Sequence, residues 1–245
     1  MDTVISIFVW ILGLSYAIIL FPVSLIIWFL VYPFDHDRAV IHWWLVIQSN
    51  LLVRIVPLWK IRIEGREKAQ KKTAYVIISN HQSILDILVM NCLKFRFRWI
   101  SKIENYKVPI FGWYLRMAKY IAIDRGNKES KAEMLDKSAL SLRKGISIMI
   151  FPEGTRSADR EIGPFKLGAF QLALMADKPI LPVLVDGTGG ILPKKGLIFS
   201  GGHIIRIKIL EPVNPGSFGT ADPEELMTKF RSMMINELKI IRETK

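Results

Sequence analysis

One cysteine, Cys92, stands in 245 residues. An intrachain disulfide is therefore excluded, and no bridge constrains the redox compartment. Cys92 lies in an apolar stretch with no histidine close in sequence, so the thiol reads as a packing residue. Acid is scarce: 22 Asp and Glu stand against 34 Lys and Arg, a formal charge of +12. Such a chain suits nucleic acid, anionic lipid or an acidic partner. Zinc-finger spacing, an RNP-like aromatic motif and a Lys/Arg block are all missing, which excludes the common nucleic-acid modules. The G-x-S-x-G nucleophile elbow is missing too, so a serine hydrolase of that type is excluded. No repeat or low-complexity linker divides the chain, and its length suits one sizeable core.

Charge itself is absent from Thr3 to Phe34. No Lys or Arg occurs before Arg38, so the positive start of a secretory signal is lacking. The run exceeds the roughly 20 apolar residues that a spanning helix needs. Pro22 inside it predicts a kink or break, leaving two arrangements: a kinked span, or two pieces lying partly in one leaflet. A second apolar segment, "RAVIHWWLVIQSNLLVRIVPLW" at 38–59, carries His42, Gln48 and Arg54. Its Trp43, Trp44 and Trp59 suit a membrane interface; the alternative is a helix packed on the rest of the chain. Lys60, Arg62, Arg66, Lys68, Lys71 and Lys72 follow. This basic flank favours the cytoplasmic face. Asp35, His36 and Asp37 between the segments lack a complete ligand set, so no metal is expected there. The expected division is a membrane-associated helical segment at 1–59 and an α/β domain at 60–245.

From residue 60 the pattern alternates. "KIRIEG", "AYVIIS", "KYIAID", "SIMIF", "ILPVLVD" and "HIIRIKIL" read as strands. "SILDILVMNCL" reads as an apolar helix, and "NKESKAEMLDKSALSLRKG" as an amphipathic one closed by Gly145. A last helix opens at Asp222-Pro223, a cap followed by proline at the first helical position. Alternation of this kind predicts a central, largely parallel mixed sheet flanked by helices. Polar residues follow four of the strands: Asn80-His81, Asp124-Arg125-Gly126, "PEGTRS" and "DGTGG". In a parallel sheet these ends gather on one edge, where α/β sites form.

The stretch "SNHQSILDILV" at 79–89 allows two readings. Ser83-Ile84-Leu85-Asp86 fits a capping box, with Ser83 as N-cap and Asp86 serving free N–H groups. The same helix start leaves His81 outside the helix, so the chain can fold its ring back onto the Asp86 carboxylate. Such a pair makes a general base with a fixed tautomer. Further on, "FPEGTRS" places Arg156 after a tight turn beside Glu153. Arg125 and Lys102 offer further cations at the same edge, arginine as a bidentate phosphate ligand and lysine as a point charge.

At these residues the chain resembles the 1-acyl-glycerol-3-phosphate acyltransferases of the PlsC type. "NHQSILD" matches the family's H-x4-D motif, "KYIAIDRG" resembles the second motif, "FPEGTRS" matches the third, and "ILPVLVDGT" resembles the fourth. The four occur in family order between residues 80 and 188. Ala118-Lys119-Tyr120 departs from the glycine frequent in the second motif. The resemblance implies an α/β domain with an N-terminal two-helix membrane motif. It implies acyl transfer from acyl-CoA or acyl-acyl carrier protein to the free hydroxyl of lysophosphatidic acid, giving phosphatidic acid, with no cofactor, metal or nucleic acid. His81 is then the general base and Asp86 its orienter. Lys102, Arg125 and Arg156 bind the phosphate, Glu153 in the Glu153-Gly154-Thr155 turn places the glycerol, and Pro182 shapes the acyl region. Two alternatives stay open: the same chemistry on glycerol 3-phosphate or another lysophospholipid, and a non-catalytic lipid-binding membrane protein.

Overall fold

The computed structural model describes residues 2–56, 59–70, 72–200 and 204–243. Pro57 and Leu58 of the second apolar segment, Lys71 of the basic flank and His203 before the last strand lie outside these residues. The first apolar run folds as one helix, α1 (Asp2–Val31). Pro22 does not break it, so of the two expected arrangements the two-piece one falls away. A proline removes one N–H from the ladder, a loss that an apolar helix of this length tolerates.

α2 (Ala39–Ile55) follows. Asp35 caps it, its two oxygens accepting from Ala39 N at 2.7 Å and Val40 N at 2.9 Å. Asp37 pairs with Lys144 at 3.1 Å, fastening the turn between the two helices to the domain. The outward residues of α1 are apolar and exposed, Ile11, Leu14, Ile19 and Phe29 among them. About 45 Å of such helix marks the chain as membrane-associated.

Seven strands form one sheet among the described residues: β1 (Lys60–Glu64), β2 (Val76–Ser79), β3 (Phe97–Lys102), β4 (Ile121–Ile123), β5 (Ser147–Ile150), β6 (Ile180–Asp186) and β7 (Ile204–Ile209). Their order is β1-β7-β6-β2-β5-β3-β4. Every neighbouring pair is parallel except β6–β7. The central strands β2 and β5 are apolar and wholly buried because helices cover both faces.

Against one face pack α5 (Lys128–Arg143), α6 (Gly168–Ala176) and α8 (Pro223–Glu243), with Phe170, Phe230 and Leu142 at the contact. Gly145, at φ +76°, closes α5 as expected. Asp222 caps α8 by accepting from Glu224 N at 2.9 Å. On the other face lies α3 (Leu85–Asn91), with Val9 of α1 reaching the same core. Two short helices complete the set, α4 (Phe111–Met117) and α7 (Thr188–Ile191).

β3 was not among the expected strands. Its "FRWISK" interrupts the apolar run with Arg98, yet Phe97 and Trp99 turn inward at period two. Since β2, β3, β4, β5 and β6 run in one direction, their C-terminal ends share one edge. His81, Arg125, Arg156 and Thr188 follow those ends, and Lys102 is the last residue of β3.

Candidate active site

β2 stops at Ser79, and a side chain prolongs its pairing with β6. Asn80 Nδ2 donates to Val185 O at 2.8 Å, while Val185 N donates to Asn80 Oδ1 at 2.9 Å. His81 comes next, and α3 begins four residues later. Asp86, fully buried in the first turn of α3, gathers the bend onto one oxygen. Its Oδ2 accepts from His81 Nδ1 at 2.8 Å, Gln82 N at 2.7 Å and Ser83 N at 2.9 Å. Its Oδ1 accepts from the Thr188 hydroxyl.

The two sequence readings of Asp86 thus describe the same carboxylate: it holds the turn and the ring together. Ser83, however, is not the N-cap. Its hydroxyl donates to Leu192 O at 2.7 Å and accepts only a long bond from Leu85 N at 3.3 Å. An ionised carboxylate accepts and cannot donate. Nδ1 therefore carries the ring proton, and Nε2 holds the lone pair. The ring lies flat on Phe151, centroids 3.9 Å apart and planes within 6°, and Phe151 stacks in turn on Trp99.

Glu153 fixes the backbone of His81. Its Oε1 accepts from His81 N at 2.8 Å and its Oε2 from Gly163 N at 3.0 Å. Ser157 N donates to His81 O at 2.8 Å. The loop after β5 therefore grips His81 by both backbone groups. Burial pushes the Glu153 carboxyl above the usual carboxylate range, against the two N–H groups that favour its charge. Gly154 turns this loop at φ +70°, and a Cβ there would stand 3.1 Å from Lys166 Cε. The Lys166 side chain consequently lies against the "PEGTR" turn.

His81 and Phe151 line a cavity of about 740 Å³. One apolar part of its wall comes from the helix pair, including Gly13, Leu45 and Leu52. A cationic part brings in Lys102, Arg125 and Arg156, with Gly154 and Thr155 beside them. The three cations named from the sequence are therefore brought together with the base. Lys102 is paired with Glu104 at 2.8 Å, whereas Arg125 and Arg156 form no ion pair among the described residues. Partial burial lowers Arg125 from its ordinary pKa, with Glu104 opposing the shift.

Two further lysines on the wall, Lys131 and Lys166, escaped sequence reasoning. The first sits one turn into α5, six residues after Arg125; the second follows "GPF" where no motif flagged it. Pro182, expected beside the acyl chain, does not line the cavity. It pairs in register with Ile78, between Ile180 and Leu184, which belong to the core under α5, α6 and α8. Alternation along a strand sends Leu181 and Val183 to the other face, and Pro182 away from it.

Residues 60–186 match the model of the family described as Acyltransferase. A chloroplastic 1-acyl-sn-glycerol-3-phosphate acyltransferase of Arabidopsis thaliana is 37% identical over 165 residues, 66% of this chain and 46% of that one. The 1-acyl-sn-glycerol-3-phosphate acyltransferase of Saccharomyces cerevisiae is 32% identical over 74% of this chain and 60% of its own length. Its namesake in Salmonella typhimurium is 31% identical over 76% of each chain. The alignments thus span less than half of the plant protein but three quarters of the Salmonella one. The crystal structure of the 1-acyl-sn-glycerophosphate acyltransferase PlsC from Thermotoga maritima superposes with a TM-score of 0.84, covering 98% of this chain and 96% of that one at 24% identity, which establishes the shared fold. With its histidine held by a buried aspartate on the edge of such a sheet, this chain belongs to the acyltransferase family.

Proposed function

We propose that the protein transfers an acyl group from a thioester to the free glycerol hydroxyl of lysophosphatidic acid, forming phosphatidic acid. One observation carries this reading. A single cavity joins a ring nitrogen prepared to take a proton, a set of cations of which Arg125 and Arg156 form no ion pair among the described residues, and an apolar wall that reaches the membrane helices. His81 Nε2 takes the proton of the acceptor hydroxyl, whose oxygen attacks the thioester carbonyl. The C–S bond then breaks, and the departing thiolate takes the proton back from the imidazolium. Asp86 offsets the positive charge of that imidazolium. No acyl-enzyme forms.

Arg156 and Arg125 hold the acceptor's phosphate, supported by Lys102, Lys131 and Lys166. Glu153 acts through the His81 backbone and keeps the base at a fixed height beside the glycerol. Both donor classes, acyl-CoA and acyl-acyl carrier protein, fit a chain of this charge.

α1 is tied to α2 and to the domain along its length. Trp10 Nε1 donates to Leu197 O at 2.8 Å, the Tyr16 hydroxyl to Gln48 O at 2.8 Å, and Ser24 meets the Tyr114 hydroxyl at 3.1 Å. A helix held so closely rests along one leaflet and presents its apolar side to the acyl chains. The basic flank after α2 supports a position of the domain at the cytoplasmic face.

The test compares wild type and Arg156→Ala on lysophosphatidic acid and on the matching monoacylglycerol. The expected result is a strong wild-type preference for the phosphorylated acceptor, largely lost in Arg156→Ala. Equal use of both acceptors by the wild type would refute the substrate assignment.

A further inference from the structure

The fourth motif needs a role, since its proline turns away from the cavity. We propose that Thr188, at the end of that motif, is a positioning residue for the reaction: its hydroxyl, donated to Asp86 Oδ1, holds the carboxylate with Oδ2 facing His81 Nδ1. The inference rests on the reading of His81 as general base.

Both residues are fully buried, at 0% exposure. All three donors to Oδ2 come from consecutive residues of one turn, 81 to 83. Oδ1 has Thr188 alone among the described residues. Without that hydroxyl, half of a buried carboxylate lacks a partner, which is costly. The group then has reason to rotate or withdraw, and the ring loses its orientation. A β-branched threonine suits the task, because its χ1 is stiff and sets the hydroxyl in one direction.

The backbone carrying Thr188 is fixed from three sides. Asn80 clamps Val185 at the end of β6. Gly187 turns at φ +102°, where a Cβ would come within 2.4 Å of Ile204 O, so only glycine fits. Ser83, in the dyad's own turn, donates to Leu192 O, while Leu192 N donates to Thr188 O at 2.9 Å. α7 and the His81–Asp86 turn are therefore one bonded unit, and the alignment of His81 depends on both ends of it.

The experiment uses the full chain in detergent with Thr188→Val, Thr188→Ser and Thr188→Ala. Valine matches the shape and removes the hydroxyl; alanine serves if valine does not fold. The expected result is that kcat falls roughly 10- to 100-fold in the valine or alanine variant. KM for lysophosphatidic acid should stay within about twofold, and serine should restore most of kcat. In parallel, nitrogen NMR of a His-labelled sample follows the His81 ring. Wild type and Thr188→Ser should show one ordered tautomer protonated at Nδ1, and the hydroxyl-less variant a mixture. Wild-type kcat in a folded Thr188→Val or Thr188→Ala protein overturns the proposal, as does a serine variant no better than alanine. If the wild type itself turns over no lysophosphatidic acid, the substrate reading fails. The ring spectra still decide the role of Thr188.

Discussion

Asp86→Asn separates the two tasks that one carboxylate performs. Asparagine is nearly isosteric, and its oxygen can keep the three donors now on Oδ2. Its NH2 then faces Thr188, whose hydroxyl accepts as readily as it donates. The fold therefore keeps its bonds and loses only their charge assistance. A hydrogen bond to a charged group contributes about 1.5–3 kcal/mol and a neutral one about 0.5–1.5. Three such exchanges destabilise the protein by about 3 kcal/mol, out of the roughly 5–15 kcal/mol typical of a domain. Catalysis suffers more. The imidazolium formed as Nε2 takes its proton no longer has a counter-charge 2.8 Å away. In serine proteases the corresponding change lowers kcat about 10⁴-fold, and a loss of about 10³-fold, near 4 kcal/mol of barrier, is expected here. The assay pairs a thermal melt in detergent with initial rates of phosphatidic acid formation. If Asp86 served only as a cap, the melt would shift and the rate would hold. A folded Asp86→Asn protein with kcat within about twofold of wild type would refute the reasoning.

Glu153 gives a pH signature. Its carboxyl is raised by burial, so its contribution to stability is fully present below the ordinary carboxylate value and is lost as pH rises through the raised one. As pH rises above the ordinary carboxylate value, the Tm of wild type should therefore fall relative to that of Glu153→Gln; a wild-type Tm that instead rises relative to the variant's would contradict the assignment. Lys166→Ala should raise KM for lysophosphatidic acid about tenfold, the size of one charged hydrogen bond, with little change for monoacylglycerol, as measured by initial rates on both acceptors. The membrane attachment should survive about 1 M salt, which screens charge beyond roughly 3 Å, and yield to detergent, because exposed α1 side chains rather than basic residues hold it; release into the salt wash would count against this.

Periodicity made most of the sheet legible. Apolar runs marked the six strands that were expected, and the polar ends of four of them, β2, β4, β5 and β6, converge on one edge. β3 was hidden because Arg98 breaks its apolar run, although Phe97 and Trp99 alternate correctly. Of the two arrangements that Pro22 left open, the broken one failed because a rule for water-exposed helices overstates the effect of one missing N–H in an apolar helix. In the site, "NHQSILD" announced both the bend and the dyad, since the residues that make the bend are adjacent in sequence. Pro182 was misplaced because motif membership says nothing about which side of a strand a residue faces. Lys131 and Lys166 were invisible for a related reason: each reaches the cavity from a helix or loop that folding alone brings there. The two oxygens of Glu153 are likewise bound to backbone groups ten and 72 residues away, a spacing that no local pattern encodes.

Turnover is expected to depend above all on His81, the base that activates the acceptor. Purified wild type and His81→Ala, each shown to be folded, should be given lysophosphatidic acid with an acyl-CoA and, separately, with an acyl-acyl carrier protein, and phosphatidic acid should be followed by mass spectrometry. Wild type is expected to form it from at least one donor, and His81→Ala to form it several orders of magnitude more slowly while still binding lipid. Phosphatidic acid formed by folded His81→Ala at the wild-type rate would contradict the central claim.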